Sequence, residues 1–347
     1  MAESYVIGVD FGSDSVRVLI VNTETGENVG QGVACYPRWK AGLYQHPEHS
    51  IFRQHPLDYL ESLEKCITTA LAELTEEQKD HVIGIGVDTT GSTPVPVDKN
   101  GTPLALLDEF AENENAMFFL WKDHAAAAEA DEINKLFRNN SENDYTKYQG
   151  DYSAEWYWAK ILYAVRHDEA IRQAAYTWEE HCDWMTGILC GETRPEKIYH
   201  SACAAGHKAL WHSEWNGLPA ASVLEQLDPY LVQVRERYGN APQPSTVKVG
   251  TLCPEWAKKL GLKESTVISG SSFDAHAGAV GAGIQKKTFV CTMGTSCVDM
   301  FVEKPENLKG KDIQAYCGQA ENSILPGYVG VETGQAAFGD IFAWFKR

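Results

Sequence analysis

Ser269-Gly-Ser-Ser-Phe-Asp-Ala-His-Ala-Gly-Ala-Val-Gly-Ala-Gly283 is the stretch on which the reading of this chain turns. The apolar pair Val267-Ile268 reads as the end of a buried strand. Gly270 and the serines around it break that strand, and the small residues from Ala275 to Val280 begin a closely packed helix. Asp274 is thereby set on a strand-to-helix turn held by rigid elements, a position where reacting groups are often found. The same placement also fits a helix N-cap, so the turn alone leaves both readings open.

Working outward, two buried hydrophobic runs near the N-terminus flank a comparable turn. Tyr5–Val9 reads as a strand, Asp10-Phe-Gly-Ser-Asp14 as a turn, Ser15–Val21 as a second strand, and Asn28–Cys35 as a third. That order is an antiparallel meander with Gly12 and the Ser13 hydroxyl at a hairpin tip. Pro56 opens a helix with apolar residues at helical spacing from Leu57 to Leu74. Val82–Val87 is again a buried strand, ending in Asp88-Thr-Thr-Gly-Ser-Thr93, so strand, crossover helix and strand put a polar loop at a ligand edge.

Residues 105–141 read as mostly helical, Trp156–Leu162 as a helix start with an aromatic stripe, Trp178–Leu189 as a helix stopped by Gly191, and Ser201–Lys208 as a loop of small residues. The pairs 288–292 and 297–302 read as strands joined by Met293-Gly-Thr-Ser296, which repeats the design at Asp10–Ser13. Two such hairpins, one in each of two domains, would face each other across a cleft. The last helix still carries apolar side chains at Ile341, Phe342, Trp344 and Phe345, so more protein is expected around it.

Length and composition narrow the class. At 347 residues two domains are expected, and 44% apolar with 22% charged residues is ordinary for a globular protein. A formal charge of −18 makes nucleic acid an unfavourable partner. It leaves small anions open, because backbone amides and Mg²⁺ hold phosphate without a basic surface. Nine cysteines without a Cys-x-x-Cys pair read as reduced, buried thiols and hence a cytoplasmic setting. No run approaches the roughly 18 apolar residues of a membrane helix, so no membrane partner is expected. His207 and His276 read as structural donors beside packed turns, and no metal-ligand spacing stands out.

Six segments carry a resemblance that covers the whole chain. They are Gly8-Val-Asp-Phe-Gly-Ser-Asp-Ser15, Phe52–Tyr59, Gly86-Val-Asp-Thr-Thr-Gly-Ser-Thr-Pro94, Ala204-Ala-Gly-His-Lys-Ala-Leu-Trp211, Phe273-Asp-Ala-His-Ala-Gly278 and Glu332-Thr-Gly-Gln335. In this order and spacing the sequence resembles the FGGY family of carbohydrate kinases. The resemblance implies an α/β fold of two ribonuclease H-like domains, with the N-terminal one over 1–265. The C-terminal one would begin at 266 and be cut short before the family's adenosine motif.

What the resemblance implies for chemistry is ATP-dependent phosphorylation of a ketopentose, ribulose first, with ATP and Mg²⁺ as cofactors. Other specificities in the family (xylulose, rhamnulose, glycerol) and a non-catalytic sugar-binding protein stay open, as does a homodimer. Asp274 would be the general base. Asp10, Gly12 and Ser13 would form the first phosphate motif, with Asp10 also holding Mg²⁺, and Gly294, Thr295 and Ser296 would form the second. Lys208, Glu332 and Asp274 would contact the sugar, with Thr90, Gly91 and Ser92 near its far side.

Overall fold

The alternating apolar residues of the first three strands build a meander that buries one face. A computed structural model describes residues 3–140, 142–294, 297–308, 311, 318–335 and 337–346. In it Tyr5–Phe11, Ser15–Asn22 and Asn28–Cys35 pair antiparallel in chain order. Ile7, Val9, Phe11, Val16, Val18 and Ile20 are buried beneath. The first strand runs two residues beyond the expected end at Val9. Asp10 is drawn into the ladder by Arg17 on one side and Asp88 on the other, rather than lying in the turn.

The helix Pro56–Leu71 then crosses over, and Val82–Thr89 returns parallel to Tyr5–Phe11. Close contact between helix and sheet depends on the third strand, whose inner positions are Gly30, Gly32 and Ala34. A Cβ on Gly30 would come within 2.6 Å of the Ala70 carbonyl oxygen, and one on Gly32 would overlap the carbonyl of Cys66. Gly32→Ala is therefore expected to destabilise the fold by about 1–3 kcal/mol through overpacking. The readout is a lower denaturation midpoint at unchanged slope, and an unmoved midpoint would reject the packing account.

Two later strands, Val267–Ser269 and Ser272–Phe273, both pair parallel with Val82–Thr89, and Lys248–Thr251 lies antiparallel outside the former. The boundary expected at 265/266 thus falls between two paired strands of one sheet. Beyond this sheet, a second antiparallel sheet runs in the order Val290–Met293, Cys297–Glu303, Val329–Gln335, Gly318–Glu321. The helix Asp274–Gly281 joins the two. It starts at the end of a first-sheet strand and buries Ala279 with Met300, Val302 and Ile324 of the second unit.

Elsewhere local pattern and structure part company. Among the described residues of 105–141 only Ala127–Arg138 is α-helical. The apolar residues before it pack as short 3₁₀ turns and a strand, Phe118–Phe119, that pairs with Arg53 and Gln54. Thr177–Glu180 is a strand paired with Pro94–Val97, and the helix begins only at His181, ending at Gly191 in the left-handed region. Ser201–Lys208 is not a loop, since Ala202–Lys208 is helical. Its small residues serve packing: a Cβ on Gly206 would overlap Ala320 of the second sheet. Trp156, Trp158 and Trp178 are buried in a separate aromatic core around the helix Tyr157–His167. The helix Gly339–Lys346 leaves Ile341, Phe342, Trp344 and Phe345 exposed.

Candidate active site

Strand register brings the carboxylates together. Asp10 and Asp88 are direct partners on adjacent parallel strands, and Ser272 is the partner of Asp88 on the next. Asp274 follows two residues later, at the end of that row. Partners across a parallel ladder present their side chains to the same face, so Asp10 and Asp88 share one surface. Asp88 was not singled out from sequence as a site residue. The signal was present, since both strands carry the same tripeptide one residue before their ends, Gly8-Val9-Asp10 and Gly86-Val87-Asp88, and the structure pairs them residue for residue.

Asp274 is the first helical residue. The N-cap is Phe273, so the capping reading does not hold, and the Asp274 carboxylate instead accepts a 2.6 Å hydrogen bond from the Ala275 amide through Oδ1. Burial raises its pKa to about 6, with the Ala275 bond, His276 and Lys208 pulling down and Asp10 pushing up. Burial, followed by the charges of Asp10 and Asp274, lifts the Asp88 carboxyl well above the usual range. Asp88 and Asp274, both raised, stand with Asp10 in a carboxylate cluster that offers the hard oxygen donors that suit Mg²⁺. Arg17, itself mostly exposed, offsets part of the charge from 3.2 Å on Asp10.

The hairpin tip beside Asp10 is held from several sides. The Gly12 amide donates to Ser15 O at 3.0 Å, and the Tyr36 hydroxyl to Gly12 O at 3.0 Å. The Trp121 indole donates to Ser13 Oγ at 2.9 Å, and the Gln54 amide to Ser13 O at 2.7 Å. Gly12 thus spends its N–H within the turn. In the second hairpin, Gly294 lies exposed at the tip, while Thr295 and Ser296 fall outside the described residues.

On the other side of Asp274 a second cluster forms, centred on Glu332 of the strand Val329–Gln335. Lys208 Nζ sits 2.8 Å from Glu332 Oε1, and His276 Nε2 lies 3.0 Å from Oε2. His207 Nδ1 lies 3.7 Å from Oε1. Burial pushes the Glu332 carboxyl up, but Lys208, ahead of His207 and His276, outweighs it and holds the group well below the usual carboxylate range. Burial likewise opposes charge on His276, yet Cys203 and Glu332 raise it to about 10, whereas burial takes His207 down to about 3. Lys208 also stands 5.1 Å from the Trp156 ring centre and 5.9 Å from that of Phe273. His207, His276 and Glu332 have ligand atoms within 4.8 Å of one another, a donor set that would suit Zn²⁺. Here the Lys208 ammonium already supplies a countercharge to the carboxylate.

The Thr90–Ser92 loop closes against Phe273, whose ring a Cβ on Gly91 would overlap. It is fixed from beneath rather than open. Buried Ser92 donates its hydroxyl to Glu180, and the Thr93 amide donates to the same carboxylate at 2.8 Å. Buried Lys160 donates to Ser92 O at 2.7 Å and Leu120 O at 2.9 Å. The Thr90 amide bonds Phe11 O at 3.0 Å. Burial lowers Lys160 to about 7 against the pull of Glu180, and raises Glu180 to about 7 against the hydrogen bonds from Ser92 and Thr93 and then Lys160. Thus Asp10, Asp274, Lys208 and Glu332 converge, whereas the Ser92 hydroxyl is engaged by buried Glu180.

Two sheets are thus joined at a strand-to-helix turn, with a carboxylate row on one side of Asp274 and a buried cluster of charged groups on the other. The chain belongs to the FGGY family of carbohydrate kinases: residues 5–281 match its N-terminal domain and residues 289–347 its C-terminal domain. It is 48% identical over 346 residues to a ribulokinase of Vibrio parahaemolyticus, covering 99% of this chain and 61% of that protein. It is 35% identical over 353 residues to a ribulokinase of Shouchella clausii, covering 99% and 60%. The chain therefore spans about three fifths of the length of these curated relatives. Among solved structures, a xylulose kinase from Rhodospirillum rubrum aligns with a TM-score of 0.73 at 18% identity, over 98% of this chain and 62% of that one. Plasmodium falciparum glycerol kinase with ADP aligns with a TM-score of 0.75 at 14% identity, over 99% and 63%. The two-domain α/β fold expected from sequence is thus the fold of the family.

Proposed function

We propose that this chain carries the sugar side and the first phosphate contacts of an ATP-dependent ketopentose kinase, with ribulose as the acceptor. The observation that carries the reading is Asp274, a half-buried carboxylate tuned to about 6 between the Asp10–Asp88 pair and the Lys208–Glu332 pair. The ribulokinases at 48% and 35% identity support ribulose over other acceptors.

In this mechanism Lys208 and Glu332 bind sugar hydroxyls as donor and acceptor, and the Thr90–Gly91 backbone borders the substrate next to Phe273. Asp274 accepts the proton of the attacking hydroxyl at a carboxylate oxygen, a role for which a pKa near the working pH is favourable. Asp10 and Asp88 would hold Mg²⁺, which when bound neutralises phosphate charge. Gly12 shapes the first turn so that Ser13 meets phosphate oxygens, the second phosphate motif is Gly294 with Thr295 and Ser296, the last two outside the described residues, and closure of the two units excludes water. The first sheet with its aromatic insert forms the sugar-side unit, and the second sheet begins the nucleotide-side unit. A cytoplasmic setting belongs to the same proposal, since all eight described cysteines are free and, among the described residues, no helix is long and apolar enough to cross a membrane.

A coupled ADP-release panel over ribulose, xylulose, rhamnulose and glycerol, alongside calorimetry of ATP and of each sugar, tests the reading. Turnover highest with ribulose supports it. Sugar binding with no nucleotide binding favours a sugar-binding role instead. Asp10→Asn is expected to weaken Mg²⁺-dependent nucleotide binding about tenfold or more while leaving thermal stability unchanged or higher, because it relieves like-charge repulsion with Asp88. Unchanged Mg²⁺ dependence would remove Asp10 from the metal site.

A further inference from the structure

Glu332 is the one sugar-contact candidate contributed by the second sheet, and among the described residues Lys208, His207 and His276, the cationic or imidazole groups at its carboxylate, come from the first unit or from the joining helix. Lys208 and His207 end the helix Ala202–Lys208, and His276 stands in the first turn of the helix that Asp274 begins. The two units meet closely here. A Cβ on Gly318, the strand partner of Glu332, would collide with the His207 ring, and Gly206 is packed on Ala320 in the same way. His207 and His276 are buried, with ring centres 4.7 Å apart.

Lys208 takes Oε1, the oxygen that must also answer a sugar hydroxyl. His276 stands at the other oxygen, 3.0 Å from Oε2. A carboxylate held at one oxygen alone still turns about its terminal bond, since that torsion is broad. One held at both is fixed in plane. We propose that His276 is a positioning residue that, through Glu332 Oε2, fixes the carboxylate plane so that Oε1 and Lys208 face the sugar in register with Asp274.

Because His276 and Asp274 share one helical turn, the contact ties the base and the second-sheet carboxylate into a single rigid unit. His207 braces the His276 ring from the side and is held in place by the glycine at 318. The inference rests on the sugar-kinase reading for its substrate. It assigns no contact between His276 and the sugar.

The test uses the full chain and the variants His276→Leu, His276→Gln, Glu332→Gln and the double variant His276→Leu/Glu332→Gln. Glutamine can place an amide donor near the position of Nε2, whereas leucine removes the imidazole contact to Oε2. His276→Leu is expected to weaken ribulose binding by calorimetry about tenfold to a hundredfold, the usual effect of stripping one partner from a buried charged group, with ATP binding unchanged. His276→Gln is expected to recover most of that loss, and the leucine substitution to have a much smaller effect once Glu332 is glutamine. Equal impairment in the leucine and glutamine variants would overturn the inference in favour of ring shape. So would full additivity of the two substitutions. A stoichiometric Co²⁺ absorption band that needs His207 and His276 would also overturn it, marking the cluster as a metal site. If the unaltered chain binds no sugar, the kinase reading fails separately. The pair is then judged by the same double-mutant cycle read in thermal unfolding, where additivity again overturns it.

Discussion

Asp274→Asn is expected to lower turnover by about a hundredfold to ten-thousandfold, the range a positioned general base contributes, while ribulose binding stays measurable. The pH profile of the unaltered protein should carry the same signature. The carboxylate must be ionised to accept a proton, and burial sets its pKa at about 6. Turnover should therefore fall about tenfold per pH unit below that value and level off above it. The substitution carries a second, opposite effect on stability. Because the folded-state pKa lies above that of an unfolded aspartate, the folded state binds the proton more tightly. Asp274 thus contributes stability that is present below about pH 4 and lost as the pH rises through 6. At neutral pH the ionised group is a cost, which a shift of about two units puts at no more than about 3 kcal/mol and which partial solvent access reduces to about 1–2 kcal/mol. Asp274→Asn should raise the melting temperature at pH 7.5 and have no such effect at pH 4. Near-normal turnover, or a melting temperature lowered at pH 7.5, would remove Asp274 from the role.

Lys208→Met has the next largest expected effect, on both binding and folding. Glu332 is 4% exposed, and removing the ammonium at 2.8 Å leaves a buried carboxylate with His276 as its main cation. Breaking a buried pair from one side commonly costs about 3–5 kcal/mol, and the remaining imidazolium places this case at the lower end of that range. Sugar affinity should drop by about tenfold to a hundredfold from loss of a charged donor. The pH dependence separates this from a packing defect. Glu332 is held below its usual range, so its pairing contributes stability above the unfolded carboxylate pKa that is lost as the pH falls through the folded value. The destabilisation by Lys208→Met should be large at pH 7 and shrink toward pH 3. Equal losses at both pH values would mean that the lysine stem, and not its charge, matters.

The parts of the site that were legible in sequence are those set by local chain chemistry. Strand, glycine break and small-residue helix around Asp274 could be read from spacing alone, as could the meander that carries Asp10 and the crossover helix from Pro56. Local pattern misread the segments where packing overrides propensity. The alanine-rich 202–208 segment is a helix because it must lie flat on the second sheet, and 105–126 is irregular because its apolar residues fill an aromatic core instead of following one helical face.

Other features had no local cause to read. Asp88 belongs beside Asp10 only because two distant Gly-Val-Asp strands pair in parallel, a register set by the crossover and not by either strand. His207 and His276, read in sequence as structural donors, are brought by tertiary packing to Glu332, which lies more than 50 residues from either in the chain. Ser92, which the resemblance puts near the sugar's far side, has its hydroxyl bonded to Glu180, 88 residues away. The sequence by itself determined the elements, their order and the turn that presents Asp274, since spacing, glycine and hydrophobic period act over a few residues. Tertiary structure alone decided which charges face each other and hence which carboxylates are raised and which are lowered, because Coulomb forces and burial depend on distance in space and not along the chain.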